Sequence, residues 1–387
     1  MANKSGLFPL HLYILCLDLN FNRITLTFVS YKVLPIYIID REMSLLSITN
    51  LSKKFPQSKT YALQDINLEI AEGSIQAIVG ENGSGKTSLL KVIAGLEHPD
   101  KGSIIFSGQT IVNGKVAISA EQREIGVIFD DYALFPQLNL LENVKVALQP
   151  KEKHSTQIAR DSLALVGLED SYKLFPHQLS SGQRQRAALA RALASRPKIL
   201  LLDDPFKSLD TRFKNEMIQD LQDIVKSTGI TAIIASHHAK DALSLADNLA
   251  ILHKGTLQQQ GPPEEIYRNP ANAYVANFFG KRNEIVATST PDGFYSGFGF
   301  MPDPESVKFN EKVKILFRAE DAKIKKDANQ PLSGTIHRTL FYGDHQIVKL
   351  MDDEGHQVSI KAHPGRNFPL GERMFFTIEK YELEEAF

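Results

Sequence analysis

Residues 80–87, GENGSGKT, constrain the fold of this 387-residue chain more than any other stretch. The apolar run SIQAIV precedes them and SLLKVIAGL follows, so the order is strand, glycine-rich turn, helix. The spacing fits G-x-x-x-x-G-K-[ST], in which backbone N–H groups and the helix dipole bind phosphates. In such a loop the lysine reaches the β- and γ-phosphates and the final hydroxyl binds Mg²⁺. The predicted nucleotide-binding residues are Gly80, Glu81, Asn82, Gly83, Ser84, Gly85, Lys86, Thr87 and Ser88.

The composition of the chain limits the functional class to which the protein can belong. Lys and Arg total 44 against 45 Asp and Glu, a net charge of −1 that gives no basic surface typical of nucleic-acid binding. The single cysteine, Cys16, cannot form an internal disulfide, which favours a reducing compartment. No apolar run approaches the roughly 20 residues of a membrane-spanning helix. We expect a soluble protein whose role at a membrane, if any, depends on partners.

Residues 1–42 differ from the rest of the chain. They are rich in Leu, Ile, Tyr and Phe, but polar residues interrupt each apolar run. A second methionine, Met43, stands directly before a strand pattern. We expect the working fold to begin there, with the preceding segment an extension outside it. The alternative is a membrane-associating arm, although the segment lacks the basic amphipathic face of one.

Residues 45–70 alternate between apolar and polar side chains, which predicts antiparallel strands with one solvated face. The aromatic residues there are Phe55 and Tyr61. Either ring could pack in the core or stack on an adenine.

Four titratable residues, Asp130, Asp203, Asp204 and His237, stand at the ends of three short apolar runs. In an open parallel sheet, ligands bind outside the carboxyl ends of the strands. We therefore expect these side chains beside Lys86 at one edge of the sheet. A single Asp or His at a strand end is more often structural. The convergence of all four residues beside Lys86 is what indicates a functional site.

In this order, the motifs GENGSGKT, LSSGQRQR, ILLLDDP, SLD and SHH resemble the ATP-binding cassette (ABC) ATPases. GLEHPDKGSI, DYALFPQL and GPPEEIYRNP look like the ATPase subunits of binding-protein-dependent importers, which handle ferric iron, polyamines, sugars and oxyanions. The resemblance is strong over about residues 43–280 and weaker over 281–387. It implies an α/β P-loop ABC domain with a mixed sheet, an antiparallel β subdomain and a helical subdomain at about 130–186. The short alternating strands of 281–387 fit a small β-barrel of the OB-like (TOBE) type.

The resemblance also implies a role for each strand-end residue. Lys86 and the loop amides hold the phosphates, and Thr87 binds Mg²⁺. Asp203 is the Walker B acid that holds the metal, and Asp204 is the general base that polarises the attacking water. His237 matches the switch histidine that contacts the γ-phosphate.

Other implied contacts come from outside the phosphate-binding loop. The signature loop, Ser180, Gly182 and Gln183, is expected to press on the ATP of a second subunit, and Asp210 to lie in the loop between the two sites. Phe55 aligns best with the adenine-stacking aromatic, and Tyr61 is second. The implied cofactors are ATP and Mg²⁺. The implied partners are a second ABC subunit in a homodimer, integral membrane permease subunits and, indirectly, a solute-binding protein, at the cytoplasmic face of the inner membrane.

Three positions depart from the family pattern. Asp204 replaces the usual glutamate. Its side chain is one methylene shorter, so the question is whether the carboxylate reaches the attacking water. Asp130 replaces a glutamine near the metal, where it could bind Mg²⁺ directly or weaken nucleotide binding. Ser181 replaces the first glycine of the signature pair, and His238 stands where an aspartate is usual. These changes are either tolerated variation or the mark of a slow subunit.

Three functions compete. The first is the ATPase that energises a membrane importer, of ferric iron or another small solute. The second is a slow or regulatory ABC subunit, because of Asp204 and Asp130. The third, a non-transport ABC ATPase acting on DNA or ribosomes, usually has a coiled-coil insert or two cassettes in one chain, and neither is visible here. We expect no nucleic-acid partner.

Overall fold

The computed structural model describes residues 44–114, 116–129, 132–149, 152–207, 211–303, 311–325 and 332–386. The predictions for residues 1–42, Asp130 and Asp210 lie outside them. The elements up to residue 280 are β1 Ser44–Lys53, β2 Leu63–Ala71, β3 Ile75–Val79, α1 Lys86–Ala94, β4 Lys101–Phe106, β5 Gln109–Asn113, β6 Val116–Ala117, β7 Ile125–Ile128, α2 Leu140–Lys145, α3 Ser155–Leu165, α4 Ser181–Ala194, β8 Ile199–Asp203, α5 Thr211–Thr228, β9 Thr231–Ser236, α6 Ala239–Leu245, β10 Asn248–His253, β11 Thr256–Gly261, α7 Pro263–Arg268 and α8 Ala273–Phe278.

A six-stranded sheet in the order β11-β10-β3-β9-β8-β7 forms the centre of this part. All its neighbouring pairs are parallel except β10 with β11. The strands β3 and β9 are buried along their whole length, as expected for parallel strands covered on both faces. Their apolar composition follows from that position.

A second sheet, in the order β2-β1-β4-β5-β6, is antiparallel. This confirms the antiparallel strands predicted for residues 45–70. One face of β1 and β2 is buried and joins the same hydrophobic cluster as α1 and the central strands. The alternating pattern therefore reports which face packs on the nucleotide-binding helix.

The helices α2, α3 and α4 share one hydrophobic cluster. The sequence indicates a helical segment over 142–178, with one helix closed by Gly167. Among the described residues, α3 ends before Gly167 as predicted, and the residues after it up to 178 form only two short 3-10 turns, Glu169–Ser171 and Pro176–Gln178. Gly167 takes a left-handed φ of 68° after α3, and Pro176 begins the second turn, so a continuous helix cannot form. The helix α4 runs unbroken past residue 186 to Ala194.

The C-terminal strands are β12 Asn283–Thr290, β13 Gly293–Ser296, β14 Gly299–Pro302, β15 Lys312–Phe317, β16 Ala322–Lys325, β17 Leu332–Phe341, β18 Gln346–Met351, β19 Gln357–Ala362, β20 Arg373–Ile378 and β21 Glu382–Glu385. They form one antiparallel sheet around a single core, and β19 lies against β16 and β12. The sequence predicts strands at EKVKILF, GTIHRTL, HQIVKLM, QVSIKA and RMFFTIE, and these are confirmed as β15, β17, β18, β19 and β20 of a barrel-like domain. Among the described residues, no helix has the length and apolar character to cross a bilayer.

Candidate functional site

The predicted site residues stand at the carboxyl ends of three neighbouring parallel strands. Val79 lies opposite Ser236 in the β3–β9 pair, and Asp203 lies opposite Ala235 in the β8–β9 pair. The phosphate-binding loop, His237 and Asp204 follow these positions directly in the chain. The register of the sheet therefore brings the predicted groups to one edge.

The glycines of the loop are required by close backbone contacts. A Cβ on Gly80 would lie 2.3 Å from the carbonyl oxygen of Leu252, and one on Gly85 would lie 2.4 Å from that of Ala62. Gly85 also has φ 109°, a left-handed value that disfavours other residues. Residues 81–83 are exposed, so the outer face of the loop is open to a ligand.

Lys86 begins α1 and lies buried beneath this loop. Its Nζ donates to the carbonyl oxygens of Gly80 at 2.8 Å and Glu81 at 3.0 Å. Burial lowers the Lys86 pKa, while the negative charges of Asp204 and Asp203 act in the opposite direction. The loop thus orients the ammonium group, and its third N–H can donate to a phosphate oxygen.

Ser84 supplies an independent sign of a ligand. Its side chain is 3% exposed, and its Oγ has no hydrogen-bond partner in the part of the chain that the structure describes. A buried hydroxyl without a partner is costly and needs an explanation. An anion held by the loop would provide one.

The helix that carries Lys86 is fixed at its other end by a residue that no motif identifies. Arg123 is 1% exposed and donates to the carbonyl oxygens of Val92 and Ile93, both at 2.7 Å. Burial lowers the Arg123 pKa. Charge-assisted bonds to the last carbonyls of α1 anchor the helix and hence the loop before it.

Asp204 and His237 form a direct pair. The Oδ1 of Asp204 accepts from the His237 backbone N–H at 3.2 Å and lies 2.9 Å from its Nδ1. Asp204 has a left-handed φ of 45°, and its own N–H donates to the Ala235 carbonyl at 2.9 Å. Oδ1 is thus committed to His237, which leaves Oδ2 to accept from a water.

The two candidate adenine-stacking residues lie on the segment beside the loop. The carbonyl oxygen of Ala62, next to Tyr61, makes the close approach to Gly85. The Tyr61 ring is 39% exposed, with the Lys54 Nζ 5.6 Å from its centroid. The Phe55 ring is half-buried, with the Lys53 Nζ 5.1 Å away. Backbone contact with the loop is therefore seen at the Tyr61 end of the segment.

The signature residues cap a helix. The Ser180 Oγ accepts from the Gln183 N–H at 3.2 Å, and the Gln183 Oε1 accepts from the Ser180 N–H at 3.0 Å. Gly182 lies between them in the first turn of α4. Ser181 occupies the first helical position and has no left-handed φ, so serine replaces glycine there without backbone strain. Within the described residues, no hydrogen bond joins these residues to the phosphate-binding loop.

Tyr274, on α8, is a residue of the site that the motifs did not reveal. Its ring centroid is 3.8 Å from that of His253, at the end of β10. Burial and the negative charge of Glu81 raise the Tyr274 pKa. Its buried hydroxyl has no hydrogen-bond partner among the described residues.

Comparisons with known proteins identify relatives of this chain. The family model described as ABC transporter matches residues 63–207. The spermidine/putrescine import ATP-binding protein PotA of Acetivibrio thermocellus is 32% identical over 347 residues, which are 88% of this chain and 95% of PotA.

Solved structures resemble more than half of the chain. The structure of cbiO1 from Clostridium perfringens, described as part of the ABC transporter complex cbiONQ, is 30% identical with a TM-score of 0.54. It covers 59% of this chain and 92% of its own. The dimeric ATP-binding cassette MJ0796, bound to ADP and Pi, is 28% identical with a TM-score of 0.50 and covers 56% of this chain and 98% of its own.

Proposed function

The chain belongs to the ABC transporter family as an ATP-binding subunit, and we propose that it hydrolyses Mg-ATP in a homodimer to drive solute import through a membrane permease. ATP hydrolysis is the activity of this family. The observation that supports the proposal best is the convergence of Lys86, Asp203, Asp204 and His237 at one edge of the central sheet.

The proposed chemistry assigns one task to each group. The loop amides and Lys86 bind the phosphates and neutralise their charge. Asp204 orients the attacking water through Oδ2, while His237 holds Oδ1 and stands ready to contact the γ-phosphate. Phe55, or else Tyr61, stacks on the adenine.

The residues present fit Mg²⁺. Thr87 offers a hydroxyl oxygen from the first turn of α1, and Asp203 offers a carboxylate from the end of β8. Oxygen donors of this kind are the ones that Mg²⁺ prefers, and the ion commonly keeps several waters beside them. When bound, Mg²⁺ neutralises charge on the β- and γ-phosphates. Asp130 remains a proposed third ligand.

The proposed homodimer is supported by the position of the signature residues. Ser180 and Gln183 bond to each other at the start of α4, and no hydrogen bond among the described residues joins them to their own phosphate-binding loop. We propose that they close over the ATP of a second copy, and that Asp210 lies between the two sites. The dimeric MJ0796 cassette supports this arrangement.

The permease and the solute-binding protein choose the solute. We propose peripheral attachment to a permease at the cytoplasmic face of the cell membrane. PotA, which the chain covers over 95% of its length, is named for spermidine and putrescine, so polyamines are one candidate solute class. Ferric iron, suggested by DYALFPQL, is the other.

A slow or regulatory subunit is the second candidate function. The observation in its favour is the short Asp204 carboxylate, one oxygen of which is already bonded to His237. In that case ATP would close the dimer, and hydrolysis would be rare.

The test is Mg²⁺-dependent ATPase activity of the purified protein and of Lys86→Ala. We expect turnover to fall to background in Lys86→Ala, because the phosphates lose their ammonium partner. ATP binding without turnover in the unchanged protein would support the regulatory alternative. Undiminished turnover in Lys86→Ala would overturn the proposed site.

A further inference from the structure

We propose that Arg191 positions the segment that joins the central sheet to the helices α2 to α4, by holding two adjacent left-handed residues. Arg191 lies near the end of α4, whose first turn carries the signature residues. The inference rests on the proposed function, because its consequence is the placement of Ser180 relative to the ATP site.

The contact is a two-carbonyl clamp. The Arg191 Nη1 donates to the Ala133 carbonyl oxygen at 2.6 Å, and Nη2 donates to that of Tyr132 at 2.9 Å. Both bonds are made by one planar guanidinium, whose fixed geometry suits two neighbouring acceptors. A lysine carries its donors on one nitrogen at the end of a flexible chain, so it cannot hold the two carbonyl groups in the fixed planar geometry of a guanidinium.

The clamped residues have unusual backbone conformations. Tyr132 has φ 58° and Ala133 has φ 43°, and neither is glycine. Two consecutive residues in this region are disfavoured by contacts of the Cβ with the backbone. Such conformations persist only where the surrounding structure holds them. The Arg191 bonds act directly on the carbonyl groups of these residues.

The far end of the same segment is held by a different helix. Asn143, on α2, is 0% exposed; its Oδ1 accepts from the Phe135 N–H at 2.8 Å, and its Nδ2 donates to the carbonyl oxygens of Phe135 and Leu138. Residues 132–138 are thus attached to α4 at one end and to α2 at the other. They are expected to move together with the signature helix.

The near end of the segment leads back to the ATP site. The Tyr132 N–H donates to the Phe129 carbonyl at 3.0 Å, directly after β7. The strand β7 pairs with β8, which ends at Asp203. Arg191 therefore fixes how α4 connects to the sheet edge that binds the nucleotide. Its role is that of a positioning residue, since it touches neither ATP nor the reacting water.

The experiment is a double-mutant cycle on the full chain. In Arg191→Lys we expect kcat for ATP hydrolysis to fall on the order of tenfold to a hundredfold, as misplacement of about 1 Å does. The Kd for a fluorescent ATP analogue should stay within about threefold, because the phosphate-binding loop is unchanged. Adding Ala133→Gly should restore most of the kcat, because glycine adopts a positive φ without strain. Arg160→Lys, on the exposed face of α3, is the matched control.

Two results would overturn the proposal. One is unchanged kcat in Arg191→Lys. The other is a loss of kcat that Ala133→Gly does not repair, because the proposal attributes that loss to strain in the Ala133 backbone, which Arg191 holds. If Arg191→Lys does not fold, the single variant Ala133→Gly tests the proposal. Glycine relieves the backbone strain at this position, so the proposal predicts a raised Tm. An unchanged or lowered Tm would contradict the proposal. Failure of the proposed function would be seen separately, as absent ATPase activity in the unchanged protein.

Discussion

The Oδ1 of Asp204 accepts from the backbone N–H of His237 at 3.2 Å and lies 2.9 Å from its Nδ1. One carboxylate oxygen thereby joins the ends of two neighbouring strands, β8 and β9. The orientation of Asp204 is set by this pair and by its left-handed backbone. Aspartate tolerates that backbone region better than longer side chains do, which gives a physical reason for its presence in place of glutamate.

Asp204→Glu tests whether reach limits turnover. We expect kcat to rise several-fold, because the longer side chain brings the carboxylate closer to the water. We also expect the Tm to fall by a few degrees, because glutamate fits φ 45° less well. Steady-state ATPase assays and thermal unfolding measure both. No gain in kcat would show that the length of the carboxylate is not limiting.

His237→Ala tests the other half of the pair. We expect kcat to fall on the order of a hundredfold, because Oδ1 keeps only its backbone donor and the carboxylate can turn away from the water. ATP affinity should change little, since Lys86 and the loop are intact. His238→Ala is the matched control: its ring lies 3.9 Å from that of His237, yet the hydrogen bonds described for His238 are made by its backbone N–H and carbonyl. Equal losses in the two variants would argue against a special role for His237.

Gly80→Ala tests the close contact beneath the phosphate-binding loop. The added methyl would lie 2.3 Å from the Leu252 oxygen and 2.5 Å from the Ser84 Oγ. We expect the free energy of unfolding to fall by about 1–3 kcal/mol and ATP binding to be lost. In Gly343→Ala, where φ is 94° but the space is open, stability should fall without any change in ATP binding. Tm and nucleotide titrations distinguish the two, and intact ATP binding in Gly80→Ala would contradict the model of a rigid loop.

The junction with the C-terminal domain predicts an alkaline titration. Burial and a hydrogen bond to Glu320 raise the pKa of Tyr267 to about 12, from an ordinary value of 10.0. Between these values the folded protein keeps a proton that the unfolded chain loses, so stability falls as the pH rises through this window. Below pH 10 the contribution is fully present.

The measurement is the tyrosine absorbance titration of the unchanged protein minus that of Tyr267→Phe. In the difference between the two titration curves, we expect the hydroxyl group of one tyrosine to titrate near pH 12. In Glu320→Gln the charge is removed but an acceptor remains, so the midpoint should fall. A difference midpoint near pH 10 would show that Tyr267 is not held as described.

Several features of the fold follow directly from local sequence. The motif around Lys86 specifies strand, loop and helix because Gly83 and Gly85 adopt the left-handed φ values that glycine favours. The alternation of residues 45–70 gives the antiparallel pair, since period two places one face inward. The helix that the sequence closes at Gly167 is confirmed as α3, but the rest of the helical pattern up to residue 178 forms only short 3-10 turns, one of which begins at Pro176.

Other features arise only when distant parts of the chain meet. Arg191 binding to Tyr132 and Ala133, and Arg123 binding to Val92 and Ile93, join residues about 30 to 60 positions apart. No periodicity or spacing encodes such contacts, because they depend on how helices pack on the sheet. The sequence by itself determined the nucleotide-binding loop, the acidic strand ends and the family. The tertiary structure alone decided that Asp204 pairs with His237 and that Arg191 binds the carbonyl groups of Tyr132 and Ala133. Both contacts depend on sheet register and on packing across the fold.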